Sequence, residues 1–212
     1  LMDEFHERHL DGDFILAAVQ DVQDFFREDL QLGILSATLD SQRLLNLLGD
    51  DCYRSFSAGR AFPVEIENRE LDPNDLKKFS FLVQTMAKEI RSGQKRLAKG
   101  HILCFLPGVG EINAIQSELE GSKGDSWEVL PLHGSLSLSD QAKIMQDTEH
   151  QKVILATNVA ESSLTVPGVK MVIDSGLEKV ARWNPALDVQ SIELELCSQA
   201  SCTQRTGRAG RT

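Results

Sequence analysis

HILCFLPGVGEINAIQSELE, residues 101–120, changes its hydrophobic period halfway. Ile102 to Leu106 is an unbroken apolar run of strand length. After Pro107 and Gly108 the apolar positions are Ile112, Ile115 and Leu119, which is helical spacing. A buried strand that gives way to a helix is the repeating unit of a parallel α/β sheet.

Working outward, the same alternation recurs. WEVLPL (127–132), KVILAT (152–157) and KMVIDSG (170–176) read as three more short strands. LSLSDQAKIMQD (136–147) lies between the first two and reads as a helix capped by Ser139. VQSIELEL (189–196) alternates Ile192, Leu194 and Leu196 with acids, the pattern of a half-exposed strand. Towards the N-terminus, DFILAAVQDVQDFF (13–26) sets Phe14, Ala18, Val22 and Phe25 on one helical face, with Asp13 as the expected cap. LQLGILSAT (30–38) reads as a strand. The pattern breaks between Ser55 and Asp75, where Pro63 and Pro73 fall, so two α/β units joined by a linker are expected. No internal repeat or low-complexity tract is seen.

Composition bounds the function. Hydrophobic residues make up 41% and charged residues 25% of the 212, which suits a globular chain with a core. No run reaches the ~18 apolar residues of a membrane span. No signal peptide is visible. The 32 acids against 22 bases give a net charge of −10, which argues against general adhesion to nucleic acid or anionic membrane. A nucleic-acid partner would need a local basic groove. Arg91, Lys95, Arg96 and Lys99 cluster in RSGQKRLAKG, but a solvated helix end explains them more simply. The four cysteines form no C-x-x-C pair and read as reduced thiols of a cytosolic protein.

Two short stretches carry chemistry. Asp3 and Glu4 follow Leu1 and Met2, which read as the end of a buried strand. That is where open α/β sheets bind ligands. One carboxylate there suits hydrated Mg²⁺, and a second suits proton abstraction from water. HERH (6–9) superficially matches a zinc-protease motif. Its histidines are three apart, however, whereas the zinc motif needs them four apart on one helical face. At the other end, SCTQRTGRAGRT carries Arg205, Arg208 and Arg211 three apart among small residues. The i, i+3 pitch puts Arg208 and Arg211 on one side of a helical turn.

Five blocks then appear in order: DEFH (3–6), SAT (36–38), HILCFLPG (101–108), ATNVAESSLT (156–165) and QRTGRAGR (204–211). In this order they resemble the Walker B box and the third to sixth motifs of DEAH-box RNA helicases, most closely the bacterial HrpB-type branch. The resemblance implies an α/β fold of two RecA-like domains that clamp ATP between them and hold RNA. Residues 1–55 would be the C-terminal part of the first domain, 56–66 the linker, and 67–212 the second domain, truncated after the sixth motif. Asp3 would hold Mg²⁺ through water, Glu4 would activate the attacking water, and His6 would link this site to Gln204. Gln204 would help place the water, with Arg208 and Arg211 as the arginine fingers. Such a finger contributes ~10³–10⁵ in rate where it is known. Arg205 matches no finger and is expected elsewhere. Ser36 and Thr38 would couple hydrolysis to domain movement. Gly108 and Thr157 would face RNA, Ser163 would sense the nucleotide and Thr165 would lie near the ribose. Mg²⁺ and ATP are the implied cofactor and substrate. Single-stranded RNA, duplex RNA or ribonucleoprotein is the implied partner, with DNA as the alternative and no membrane.

Three departures qualify the match. No G-x-x-x-x-G-K-[ST] occurs, so the chain is expected to be an internal piece of a longer protein, inactive by itself. Pro167 stands where many members carry a ribose-binding acid. Met145 aligns with an aromatic that stacks on the base in well-known eukaryotic members. Together they imply weak base and ribose discrimination. A non-catalytic nucleic-acid-binding or scaffold module derived from the same fold is the competing reading.

Overall fold

The period change at residues 101–120 is realised as a strand followed by a helix, one of several such units in the chain. The computed structural model describes residues 1–5, 10–36, 41–49, 52–55, 62–120, 127–146, 148, 150–161, 164–186 and 188–210. It divides into units Leu1–Ala58 and Gly59–Thr212.

In the first unit, α1 (Leu10–Phe25) and α2 (Ser41–Leu48) flank a single parallel bridge between Met2 and Ile34. Met2 N–H donates to Gly33 O, and Leu35 N–H donates to Met2 O, both at 2.8 Å. Among the described residues of the stretch 30–38, pairing takes the form of this one bridge, and residues 37 and 38 lie outside them. Two expectations for α1 are corrected. The helix begins three residues before Asp13, which sits inside its first turn as a dipole partner and not as a cap. Its inward residue is Leu16, whereas Phe14 and Phe25 are 73% and 75% exposed. Leu16 is the buried residue of α1.

The second unit carries the main core. Its elements are α3 (Pro73–Leu76), α4 (Phe79–Arg96), β1 (His101–Phe105), α5 (Val109–Glu120), β2 (Glu128–Leu132), α6 (Leu138–Met145), β3 (Lys152–Ala156), β4 (Val169–Asp174), β5 (Leu177–Asn184), β6 (Val189–Leu196) and α7 (Gln199–Thr206). One 3₁₀ turn, Asn158–Ala160, follows β3 and another, Gly207–Gly210, follows α7. The strands β2-β3-β1-β4 form a wholly parallel sheet in that order.

Central strands covered on both faces must be apolar throughout, and β1 and β3 are buried at every position. Ile102, Cys104, Val153 and Leu155 point to one layer, where Leu82, Met86 and Ile90 of α4 and Ile112 and Ile115 of α5 meet them. Leu103, Phe105, Ile154 and Ala156 point to the other, with Ile144 of α6 and Val166. Gly93 lets α4 lie close on the sheet, because a Cβ there would stand 2.7 Å from Met171 Sδ.

Two details differ from the sequence reading. Ser137, not Ser139, caps α6: its side chain accepts from Asp140 N–H while Asp140 Oδ2 accepts from its hydroxyl. The strand β6 has an antiparallel partner, β5, that periodicity did not reveal. Of the predicted alternating set on β6, Leu194 packs on the core, while Ile192 and Leu196 are 74% and 55% exposed. Two of the four cations at the end of α4 are paired locally. Arg91 pairs with Glu118, and Arg96 pairs with Glu67.

Candidate nucleotide and nucleic-acid site

In the first unit the parallel bridge sends two of the singled-out segments out in the same direction. Asp3 follows Met2, and Ser36 lies two residues beyond Ile34. Asp3 is exposed, and its Oδ1 accepts the backbone N–H of Glu4 at 2.8 Å. Glu4 is half-buried with φ of 51°, a left-handed turn that redirects the chain immediately after the strand. Phe5 behind it is buried and anchors that turn. A single exposed carboxylate held by a backbone amide fits hydrated Mg²⁺, which keeps several of its waters. His6 and Thr38 lie outside the described residues.

In the second unit the predicted residues fall into two groups. Gly108 and Thr157 follow β1 and β3, so both lie at the carboxyl edge of the parallel sheet. Gly108 O accepts Ile112 N–H in the first turn of α5, and Thr157 N–H donates to Leu132 O. Met145 lies at the opposite edge. It ends α6, whose carbonyls Ile144 O and Gln146 O receive the buried ammonium of Lys152, the first residue of β3. Thr165 lies in the connection to β4, four residues before Val169, which opens that strand beside His101. Met145 and Leu164 pack on the same apolar cluster. Thr165 is exposed, whereas Met145 and Gln204 are half-buried.

The arginines differ sharply from one another. Arg205 is 2% exposed. Its Nε donates to Glu161 Oε2 at 2.8 Å and its Nη1 to Asp174 Oδ1 at 3.1 Å, with Glu178 Oε2 4.0 Å from Nη2. Its guanidinium lies 5.2 Å from the centroid of the Phe105 ring. Burial pulls its pKa down, but the charge of Asp174 and the bond to Glu161 overcome this and hold the group firmly protonated. Glu178, by contrast, is pushed up by burial, which Arg205 opposes. Sequence reasoning assigned Arg205 no partner, because its acids lie 31 and 44 residues away. Arg208 is 5% exposed. Its Nη1 donates to Leu164 O at 2.9 Å and its Nη2 to Glu161 O. Ser163 and Arg211 themselves lie outside the described residues. Gly210 seats the following turn: its carbonyl accepts Phe62 N–H at 2.9 Å.

Comparison with known proteins now bears on these groups. The family model described as the helicase conserved C-terminal domain matches residues 77–212, well over half of the chain. The chain belongs to this helicase C-terminal domain family. The chain is 43% identical over its whole length to the ATP-dependent RNA helicase HrpB of Escherichia coli, and covers 26% of that protein. It is 37% identical to the HrpA homolog of Haemophilus influenzae, covering 16% of it. A crystal structure of the Escherichia coli DEAH/RHA helicase HrpB superposes on 98% of this chain with a TM-score of 0.82 at 42% identity, and the chain covers 26% of that structure. The chain thus spans about a quarter of the HrpB it matches. The parallel sheet of the second unit, with helices on both faces, is the RecA-like core of a helicase C-terminal domain. No described helix is long and apolar enough to cross a membrane.

Proposed function

We propose that this helicase C-terminal domain, with the acidic motif that precedes it, serves an ATP-dependent RNA helicase that couples hydrolysis to movement on RNA or its unwinding. Residues 1–55 supply the end of the first RecA-like domain, 56–66 the linker, and 67–212 the second domain. The observation that carries the reading is the sorting within the second unit. Residues assigned to RNA, Gly108 and Thr157, share the carboxyl edge of the sheet. Of the residues assigned to nucleotide, Met145 lies at the other edge, Thr165 lies in the connection from Thr157 to β4, and Arg208 donates to Leu164 O beside it. One sheet that carries both groups gives a short path between them.

The roles follow from chemistry. Asp3 holds the water shell of Mg²⁺ and Glu4 takes a proton from the attacking water, with His6 and Gln204 placing it. Arg208 and Arg211 supply the permanent cations that phosphoryl transfer needs, and Ser163 senses the nucleotide. Ser36 and Thr38 transmit the change. Contacts to single-stranded RNA run mainly through sugar and phosphate, so the partner set includes duplex RNA and ribonucleoprotein, with DNA as the alternative. The protein is cytoplasmic, with its four thiols free.

The test is RNA-stimulated ATPase activity of the full-length protein. Glu4→Gln and Arg211→Ala should each abolish turnover while circular dichroism and RNA retention stay normal. Full turnover in either variant overturns the assignment of that residue. No RNA-stimulated turnover in the unmodified protein favours the scaffold reading.

A further inference from the structure

Outside the helicase machinery, the second unit holds a pair of cysteines that face one another. Cys197 Sγ and Cys202 Sγ are 3.1 Å apart, and both residues are half-buried. The backbone fixes each of them. Cys197 follows β6 and donates its N–H to Gly176 O at 2.9 Å, while Cys202 lies in the first turns of α7 and donates its N–H to Ser198 O. Ser198 also caps that helix through Ser201 N–H. The two sulfurs are therefore brought together by a capped turn, not by chance of rotamer on a mobile surface.

We propose that Cys197 and Cys202 are a reversible thiol–disulfide pair, a modification site that fastens the end of β6 to α7. A metal is the other chemistry such a pair can do, since a carboxylate oxygen of Asp174 lies within 4.8 Å of both sulfurs. Three observations favour the disulfide. Asp174 Oδ1 is already committed to Arg205 Nη1 and to Gly176 N–H. The Arg205 guanidinium acts electrostatically on Cys197, and so disfavours a second cation there. Two thiolates on tetrahedral zinc stand roughly 3.8 Å apart, given Zn–S bonds of about 2.3 Å, and these sulfurs are closer than that. Closing to the bonded distance of about 2.05 Å needs a movement of about 1 Å.

The co-reactant is a low-molecular-weight disulfide of the glutathione type. The Cys202 thiolate attacks it, forming a mixed disulfide and releasing one thiol. Cys197 then gives up its proton and attacks Cys202 Sγ, releasing the second thiol. The protein pair loses two electrons and two protons, and the small disulfide becomes two thiols. In a reducing compartment such a bond is transient. Burial, and next the contact with Cys202, push the Cys197 thiol up to about 12, so closure quickens as pH rises. The inference does not depend on the helicase reading, because its test reads covalent chemistry alone.

The test uses the protein carrying Cys52→Ser, equilibrated with glutathione disulfide, alkylated and digested with trypsin. Cys104 is fully buried and stays out of reach. The expected product is the peptide Trp183–Arg205, which holds both cysteines, unalkylated and lighter by two hydrogen masses. Dithiothreitol should restore it, and the closing rate should climb with pH. Cys202→Ser and Cys197→Ser should each remove the cross-link and leave at most a glutathione adduct on the remaining thiol. Four outcomes overturn the proposal: lasting glutathione adducts on both cysteines, a disulfide between two molecules, both thiols still alkylatable after equilibration, or co-purifying zinc that shields both.

Discussion

Arg205→Met removes the buried cation that Glu161 and Asp174 share, without removing much volume. The guanidinium is 2% exposed, and the side chains of Glu161 and Asp174 that it bonds are 14% and 20% exposed. Stranding a buried carboxylate by deleting its partner costs about 3–5 kcal/mol. Both acids retain some solvent, which places this case at the lower end, about 3 kcal/mol. For a unit of this size that corresponds to a melting temperature lower by about 6–12 °C. Both tryptophans, Trp127 and Trp183, lie in the second unit, so fluorescence during urea or thermal unfolding reports this unit selectively. If the cost is the stranded charge, Arg205→Met combined with Asp174→Asn must be less destabilised than the sum of the two single variants. Arg205→Lys should recover only part of the loss, because an ammonium cannot form the fork that reaches Glu161 and Asp174 together. A loss below about 1 kcal/mol for Arg205→Met, or strict additivity in the double variant, would refute the reasoning.

Four further outcomes are expected. Gly210→Ala should destabilise the second unit by about 1–3 kcal/mol, since its Cβ would stand 2.7 Å from Phe62 O and 3.0 Å from Val64 Cγ2; Gly207→Ala, with nothing within 4 Å, should be neutral in the same denaturation assay. Ser137→Ala should cost about 1 kcal/mol as a lost cap, and Ser139→Ala close to nothing, by the same fluorescence measurement. Glu67 is held below the ordinary glutamate range by its bond to Arg96 and next by that charge, so its contribution is full above the ordinary value and lost as pH falls through the lowered one. Arg96→Gln should return the Glu67 titration, followed by NMR, to the ordinary range. Full-length protein should hydrolyse ATP, GTP and CTP with similar kcat/KM, since Pro167 offers the ribose no side-chain hydrogen bond and Met145 packs on a base less rigidly than an aromatic ring; a strong ATP preference would count against this.

The parts legible in the sequence are those whose cause is local. The runs 102–106 and 153–156 announce buried parallel strands because both faces must be apolar, and they are buried at every position. The helical spacing of Ile112, Ile115 and Leu119 likewise lands on the core. Where the outcome depends on distant partners, periodicity misleads. In α1 the spacing of Phe14, Ala18, Val22 and Phe25 gives the helix, yet among its described residues only Leu16 is buried. The strand β5 escaped notice because LEKVARWN mixes charge and apolar residues, and it forms only through its ladder with β6. Ser137 and Ser139 both precede acids and flank the same turn. Only the backbone, extended at Ser137, decides which of them caps.

The three arginines of the last motif make the same point about function. Their equal spacing suggests equal roles, yet their partners separate them. Arg205 is fixed by two carboxylates, and its removal is expected to be felt as lost stability. Arg208 is fixed by neutral carbonyls of Glu161 and Leu164. An ionic acceptor makes a hydrogen bond roughly twice as strong as a neutral one. A phosphate oxygen within reach would therefore draw Arg208 from its carbonyls, while Arg205 would have to abandon charges of the same sign as the phosphate to make the same move. On the proposed reading this links nucleotide binding to Glu161 and Leu164, because the guanidinium that would meet the phosphate is the one that holds their carbonyls. Arg208→Lys should then keep the second unit within about 1 kcal/mol of its normal stability but lose stimulated turnover, whereas Arg205→Lys should lose stability. If Arg208→Lys instead unfolds the unit as Arg205→Met does, the division between the two arginines fails.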